Sequence, residues 1–165
     1  MFHGILEVVM RQTFIIISVF VVVAILMFST LWVKRSKTPR DGASVRIRGV
    51  IIPVEVRADA LGRSEGLSGR ASLGEETGML FLFPQKDRYA FWMKDMQFAL
   101  DFIWIGDGKV MEVTPSVPPQ PPLRTFMPAI PVDTVLEVNA GFAARHGIHV
   151  GDTVDIRVDP APFVH

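Results

Sequence analysis

The chain has 165 residues, 49% of them hydrophobic, with no cysteine and 17 basic side chains against 17 acidic ones. That length holds one domain plus an attachment. The missing cysteines exclude disulfides, thiolate nucleophiles and thiolate metal sites, and a formal charge of zero offers no overall basic footprint for nucleic acid.

Residues 1–12 form an N-terminal flank in which Glu7 and Arg11 stand four apart. Residues 13–33 carry no charge, and their polar members are confined to Thr13, Ser18, Ser29 and Thr30. About 20 residues rising about 1.5 Å each match a hydrocarbon core roughly 30 Å thick, which predicts one transmembrane helix with the lipid bilayer as its partner. A cleaved export signal would end in small residues, whereas this run ends in Leu31, Trp32 and Val33, so it reads as a retained anchor.

A basic linker follows over residues 34–44, with Lys34, Arg35, Lys37 and Arg40 interrupted by Pro39 and Gly42. Residues 1–40 hold five basic residues and one acidic residue, a net of +4, which leaves −4 for the rest of a chain whose total is zero. The cluster is therefore a membrane-surface feature, with no nucleic acid expected as partner. By the positive-inside rule it would keep the following domain in the cytoplasm.

The domain itself spans residues 45–158, followed by a tail at 159–165. Runs rich in β-branched and aromatic residues predict strands at 50–56, 79–83, 101–105, 110–113, 134–138 and 154–158. Between the third and fourth of these, Asp107-Gly108 has the composition of a two-residue hairpin turn. Asp59 is suited to cap a short helix over 59–69; Asn139 is placed to cap a second, two-turn helix by accepting from the Phe142 amide, with Gly147 as its left-handed exit. Residues 115–131 include Pro118-Pro119-Gln120-Pro121-Pro122 and read as a stiff crossing loop. Many short strands and two short peripheral helices predict a mainly β domain, a compact antiparallel barrel or sandwich.

Several segments together resemble one family: Gly66-Leu67-Ser68-Gly69-Arg70, Gly78-Met79-Leu80-Phe81, Phe91-Trp92-Met93-Lys94-Asp95-Met96, Leu100-Asp101-Phe102-Ile103-Trp104-Ile105, Leu136-Glu137-Val138-Asn139-Ala140-Gly141 and Gly147-Ile148-His149-Val150-Gly151-Asp152. The chain resembles the family catalogued as domain of unknown function 192. The resemblance implies a mainly β fold and an extracytoplasmic domain at the cell membrane, against the charge bias of the linker; it implies no reaction. Ser68 stands where the family has Met, and Asp95-Met96 where it has Asn and a small polar residue.

No nucleophile elbow, phosphate loop or HExxH pair is present, so no cofactor and no metal are expected. Met79, Met93 and Met96 read as packing residues rather than as a copper site. Candidate ligand-binding residues are Arg70, Trp92, Lys94, Asp101, Glu137 and Asn139, most of them polar groups set among residues that favour burial. Two readings stay open at this point. The charged groups hold the fold as ion pairs, such as Arg70 with Glu137 or Lys94 with Asp101; or they line a pocket walled by Trp92 for a small polar or anionic ligand. Phe91 and Trp92 alternate, so one enters the core while the other faces outward. The expected function is a binding or accessory module of the cell envelope, with acid-base chemistry by Asp101 and Glu137 as the enzymatic alternative.

Overall fold

A computed structural model describes residues 42–119 and 124–158. The flank, the expected anchor at 13–33, the linker up to Asp41, the residues 120–123 of the proline-rich loop and the tail lie outside the described residues. Among the described residues no helix is long and apolar enough to cross a membrane.

The elements run in chain order as β1 (Ser44–Ile47), β2 (Val50–Arg57), α1 (Ala60–Glu65), β3 (Gly78–Asp87), β4 (Phe91–Trp92), β5 (Leu100–Gly106), β6 (Lys109–Val117), β7 (Thr125–Phe126), β8 (Val132–Asn139), α2 (Phe142–Arg145) and β9 (Val154–Arg157). All six predicted strands form, each slightly shifted or extended. β1 is an addition: its buried Val45 and Ile47 alternate with exposed Arg46 over a span too short to give a clear period. It turns into β2 through Arg48 and Gly49, both at positive φ (51° and 82°).

Seven strands make one sheet in the order β6-β5-β8-β3-β2-β1-β9, and β4 pairs with β7 in a separate ribbon. The sheet is mainly antiparallel, as expected, and its one parallel pair is β2 with β3. Residues 58–77, which include α1, supply the long crossover that a parallel pair requires. The sheet curls into a half-barrel rather than a sandwich. Its two end strands meet where Lys109 bridges Thr153, with the Val154 amide donating to the Gly108 carbonyl at 2.8 Å.

The Asp107-Gly108 hairpin forms as expected, with both residues at positive φ (51° and 66°). Farther along β6 the register slips between Leu100 and Phe102 of its partner, and Ser116 takes φ 52°. β6 lies at the edge of the sheet order, which is where a strand tolerates Pro115. Residues 115–117 thus belong to β6 and 125–126 to β7, so the expected crossing loop is shorter than the proline content implied.

β5 is buried along its whole length and separates two cores. Ile103 and Ile105 join Val45, Ile52, Leu80, Leu136, Val138 and Phe142 on one face. Leu100, Phe102 and Trp104 join Met79, Phe81, Phe91, Met93 and Val135 on the other. In this second core Phe91 meets Phe81 edge-on at 5.0 Å between centroids and Trp104 at 5.4 Å.

Candidate functional site

Glu137 lies on β8, a strand with neighbours on both sides, and its cross-strand partners are the apolar Met79 on β3 and Phe102 on β5. The residue is only 5% exposed, and Oε2 finds no hydrogen-bond partner among the described residues. Burial without compensation pushes the carboxyl up to about 8, so at neutral pH it is mostly protonated.

Glu137 faces a cavity of about 220 Å³ on the second core. One wall comes from β3 with Phe81 and Phe83, spaced two apart and hence on one face; another comes from Tyr89, Phe91 and Trp92. The third is α1 and its exit, contributing Arg63, Glu65 and Leu67. Asp59 caps α1 by accepting from the Gly62 amide at 2.8 Å, as expected, but the helix stops at Glu65. Gly66 at φ 49° then turns the chain so that Leu67 drops into the core at 2% exposure.

Arg63 is held in place. Its Nη1 donates to the carbonyls of Ala58 and Leu82, and the guanidinium lies 5.0 Å above the Phe83 ring. Phe83 stacks on Tyr89 at 3.6 Å, and the Tyr89 hydroxyl donates to the Gln85 carbonyl at 2.7 Å. The Trp92 side of the expected alternation is met: Trp92 is 44% exposed while Phe91 is 9% exposed.

Of the six candidate residues, Trp92 and Glu137 share this cavity. The other four lie elsewhere. Arg70 pairs with Glu55 rather than Glu137, its two terminal nitrogens reaching the two carboxylate oxygens at 2.6 and 2.8 Å. Glu55 also accepts from Arg57 at 3.2 Å. Burial pushes the Glu55 carboxyl up, but the hydrogen bond and charge of Arg70, helped by Arg57, outweigh it and hold the group below its ordinary value.

Arg70→Ala is expected to cost about 2 kcal/mol in urea unfolding, between the ~1 of an exposed pair and the 3–5 of a buried one. Because the folded-state value of Glu55 is lowered, that contribution is present above the ordinary 4.5 and is lost as pH falls through the lowered value. An equal deficit for the variant at strongly acidic and neutral pH would contradict this.

Asp101 does not pair with Lys94. It is fully buried, its Oδ1 accepting from the amides of Ser116 (2.7 Å) and Gly141 (3.0 Å) and its Oδ2 from Ala143 (2.9 Å). The bulge at Ser116 and the start of α2 are both organised around it. Asp101 stands opposite Val138 in the β5–β8 register and Glu137 opposite Phe102, which puts the two carboxyl groups on opposite faces of the sheet. They cannot share one pocket.

Lys94 is exposed, and its carbonyl accepts from the Ser68 hydroxyl at 3.0 Å. Asp95 next to it adopts φ 56°, a conformation that Asp and Asn tolerate better than most residues. Asn139 does not cap α2. Its Nδ2 donates to the carbonyls of Leu73 (3.2 Å) and Gly74 (2.9 Å), while Gly141 occupies the cap position and Asp101 receives the amides. The helix is a single turn that ends at Gly147 (φ 61°) in a Schellman pattern, Ile148 donating to the Ala143 carbonyl at 2.8 Å and Gly147 to the Ala144 carbonyl at 3.2 Å.

Arg63, Glu65, Phe83 and Tyr89 were not anticipated as cavity residues. The spacing of Phe81 and Phe83 was a usable signal; nothing local placed α1 over that face. Among the described residues no cluster of His, Asp or Glu is arranged to hold a metal ion.

The geometry defines a curled β-sheet domain with an aromatic cavity closed at its base by a buried carboxyl. The chain belongs to the family of domain of unknown function 192, described as Uncharacterized ACR, COG1430, whose model matches residues 43–156. It is similar to a crystal structure of a protein of unknown function from Novosphingobium aromaticivorans DSM 12444, with 34% identity over 68% of this chain and 83% of that one and a TM-score of 0.63. A Sinorhizobium meliloti 1021 protein, described as a proposed transcription regulator, is 30% identical over 70% of this chain and 93% of its own length, again with a TM-score of 0.63. No curated protein matches the chain.

Proposed function

We propose that this domain is a small-ligand-binding module of the cell envelope and that the cavity above Glu137 is its binding site. The observation that carries the reading is the unpaired, buried Glu137 carboxyl at a cavity walled by five aromatic side chains. An uncompensated polar group in an apolar core is costly, so it argues for a role other than stability. The aromatic walls supply rigid apolar surface around one polar group, the usual make-up of a small-molecule site.

The expectation of a polar ligand is kept, and the anionic alternative is dropped. Arg70 is occupied by Glu55, Lys94 is not among the residues lining the cavity, and Arg63, which does line it, is held by the Ala58 and Leu82 carbonyls and the Phe83 ring. Acid-base chemistry shared by Asp101 and Glu137 has no common pocket, because the two face opposite sides of the sheet.

The uncharged run at residues 13–33 supports a bilayer anchor, and the family resemblance supports an extracytoplasmic domain. The basic residues Lys34, Arg35, Lys37 and Arg40 favour the reverse orientation and are outweighed in this reading. Nucleic acid is a poor partner for this domain, since the chain after residue 40 holds 12 basic and 16 acidic residues, a net of −4.

A ligand screen by NMR on the full chain in detergent micelles tests the site. Genuine ligands are expected to shift the Trp92 and Tyr89 resonances and to lose most of their affinity in Trp92→Ala. Because Trp92 is 44% exposed, that variant should lose only about 1 kcal/mol or less in stability. Ligands that map instead to Arg70 and Lys94, with Trp92→Ala binding them normally, would overturn the assignment.

A further inference from the structure

We infer that the cavity ligand is a small organic cation, an ammonium group on a compact apolar body, whose charge is met by Glu137. This rests on the reading of the cavity as a ligand site. The buried carboxyl sits among apolar neighbours, and Oε2 has no donor among the described residues. The ionised carboxylate can only accept, so a ligand that holds it in that form must bring a hydrogen-bond donor. An ammonium brings up to three donors and a charge, and a charge-assisted pair is roughly twice as strong as a neutral hydrogen bond.

The walls favour the same class. Aromatic faces attract cations through their ring quadrupoles. One ring of the cavity already does so, since the Arg63 guanidinium lies 5.0 Å over Phe83. Tyr89, Phe91 and Trp92 offer further aromatic surface to an incoming cation.

Charge on the cavity lining is balanced, with Arg63 set against Glu65. The titratable and charged groups lining the cavity with Glu137 are Arg63 and Glu65 from the α1 side and Tyr89 from the segment after β3; the flanking strands contribute Met79, Phe81 and Phe102, and β4 contributes Phe91. Arg63 is committed to two carbonyls and a ring, and Glu65 adds negative charge at the mouth. Burial, with Asp87 adding to it, raises the Tyr89 phenol, so it stays neutral around neutral pH. At about 220 Å³ the cavity is smaller than the roughly 300–1,000 Å³ of sites for drug-sized ligands, which limits the occupant to a small amine.

The ion pair forms by loss of the Glu137 proton to solvent while the ammonium keeps its own, so one proton is released per amine bound wherever the free carboxyl is protonated. Since that group sits near 8, amine affinity should rise about tenfold per pH unit below that value and level off above it.

The test uses three probes of matched shape: phenethylamine, phenethyl alcohol and phenylacetate. Each is titrated into the full chain in micelles by calorimetry in buffers of different ionisation enthalpy near pH 6.5, with NMR shifts at Trp92 and Tyr89 reporting the location. The amine is expected to bind at least about tenfold more tightly than the alcohol, releasing close to one proton, and phenylacetate more weakly still. Glu137→Gln should erase the difference between amine and alcohol while the alcohol still binds. If the alcohol or phenylacetate shifts the cavity residues with an affinity equal to or above that of the amine, the cation assignment fails and the binding site stands. If none of the three probes shifts them, both fail.

Discussion

Glu137→Gln is expected to make the domain more stable at neutral and alkaline pH, the opposite of what most substitutions in a buried strand do. With a folded-state value of about 8 against an ordinary 4.5, the carboxyl is protonated in both folded and unfolded states at low pH and imposes no titration penalty. Between those two values only the unfolded chain ionises. Unfolding free energy then falls by about 1.4 kcal/mol per pH unit, reaching a deficit of about 3 kcal/mol by pH 7, and the slope vanishes once the folded state ionises too. Glutamine keeps the shape and removes the titration, although its buried amide still lacks partners and cancels part of the gain. Urea unfolding from pH 5 to 9 should show the variant ahead by about 2–3 kcal/mol at pH 8, near 10 °C in melting temperature, and with a flatter pH profile. A variant less stable than the parent at pH 8 would remove the argument that Glu137 is kept at a cost.

Asp101 is expected to behave in the opposite sense. Its carboxylate answers three backbone amides from two different segments, and the residue has no exposed surface. Asp101→Ala leaves those donors buried without acceptors, at an expected cost of about 3–5 kcal/mol. Asp101→Asn is no rescue, because one oxygen becomes an NH₂ that points a donor at a donor. Hydrogen exchange localises the damage: the Gly141 and Ala143 amides should lose protection first, with α2 loosening before β5 and β8 separate. A stability loss under about 1 kcal/mol would show that water or a shifted backbone replaces the carboxylate.

The contrast between these two carboxyl groups shows where sequence reasoning stopped. Both stand in strands that the sequence reveals through runs of β-branched and aromatic residues, and both were expected to be buried and in need of partners. Their partners depend on register. Asp101 faces Val138 and Glu137 faces Phe102, so a one-residue offset between adjacent strands places them on opposite sides of the sheet. No local pattern encodes that offset.

The same limit explains Arg70. Its partner Glu55 lies on β2, and their meeting depends on the crossover that sets β2 parallel to β3. Features carried by neighbouring residues were legible: the Asp107-Gly108 turn, the Asp59 cap, the Gly147 exit and the alternation that buries Phe91 and exposes Trp92. Asn139 was misassigned because a local cap was available on paper while Asp101, from another strand, reaches the same amides. The cavity was half legible, with Trp92 and Glu137 named from sequence and the α1 wall supplied by tertiary packing.

The proposed site requires Glu137 to be a protonated acid without a partner among the described residues, at the cavity between α1 and the aromatic walls. Selective ¹³C labelling of glutamate and a pH titration of the full chain, with Glu137→Gln used to assign the signal, measures this directly. The carboxyl resonance should move with a midpoint near 8, and phenethylamine should shift that midpoint downward. A midpoint near the ordinary 4.5 would mean that Glu137 is solvated or paired in solution, and the binding site drawn around it would be withdrawn.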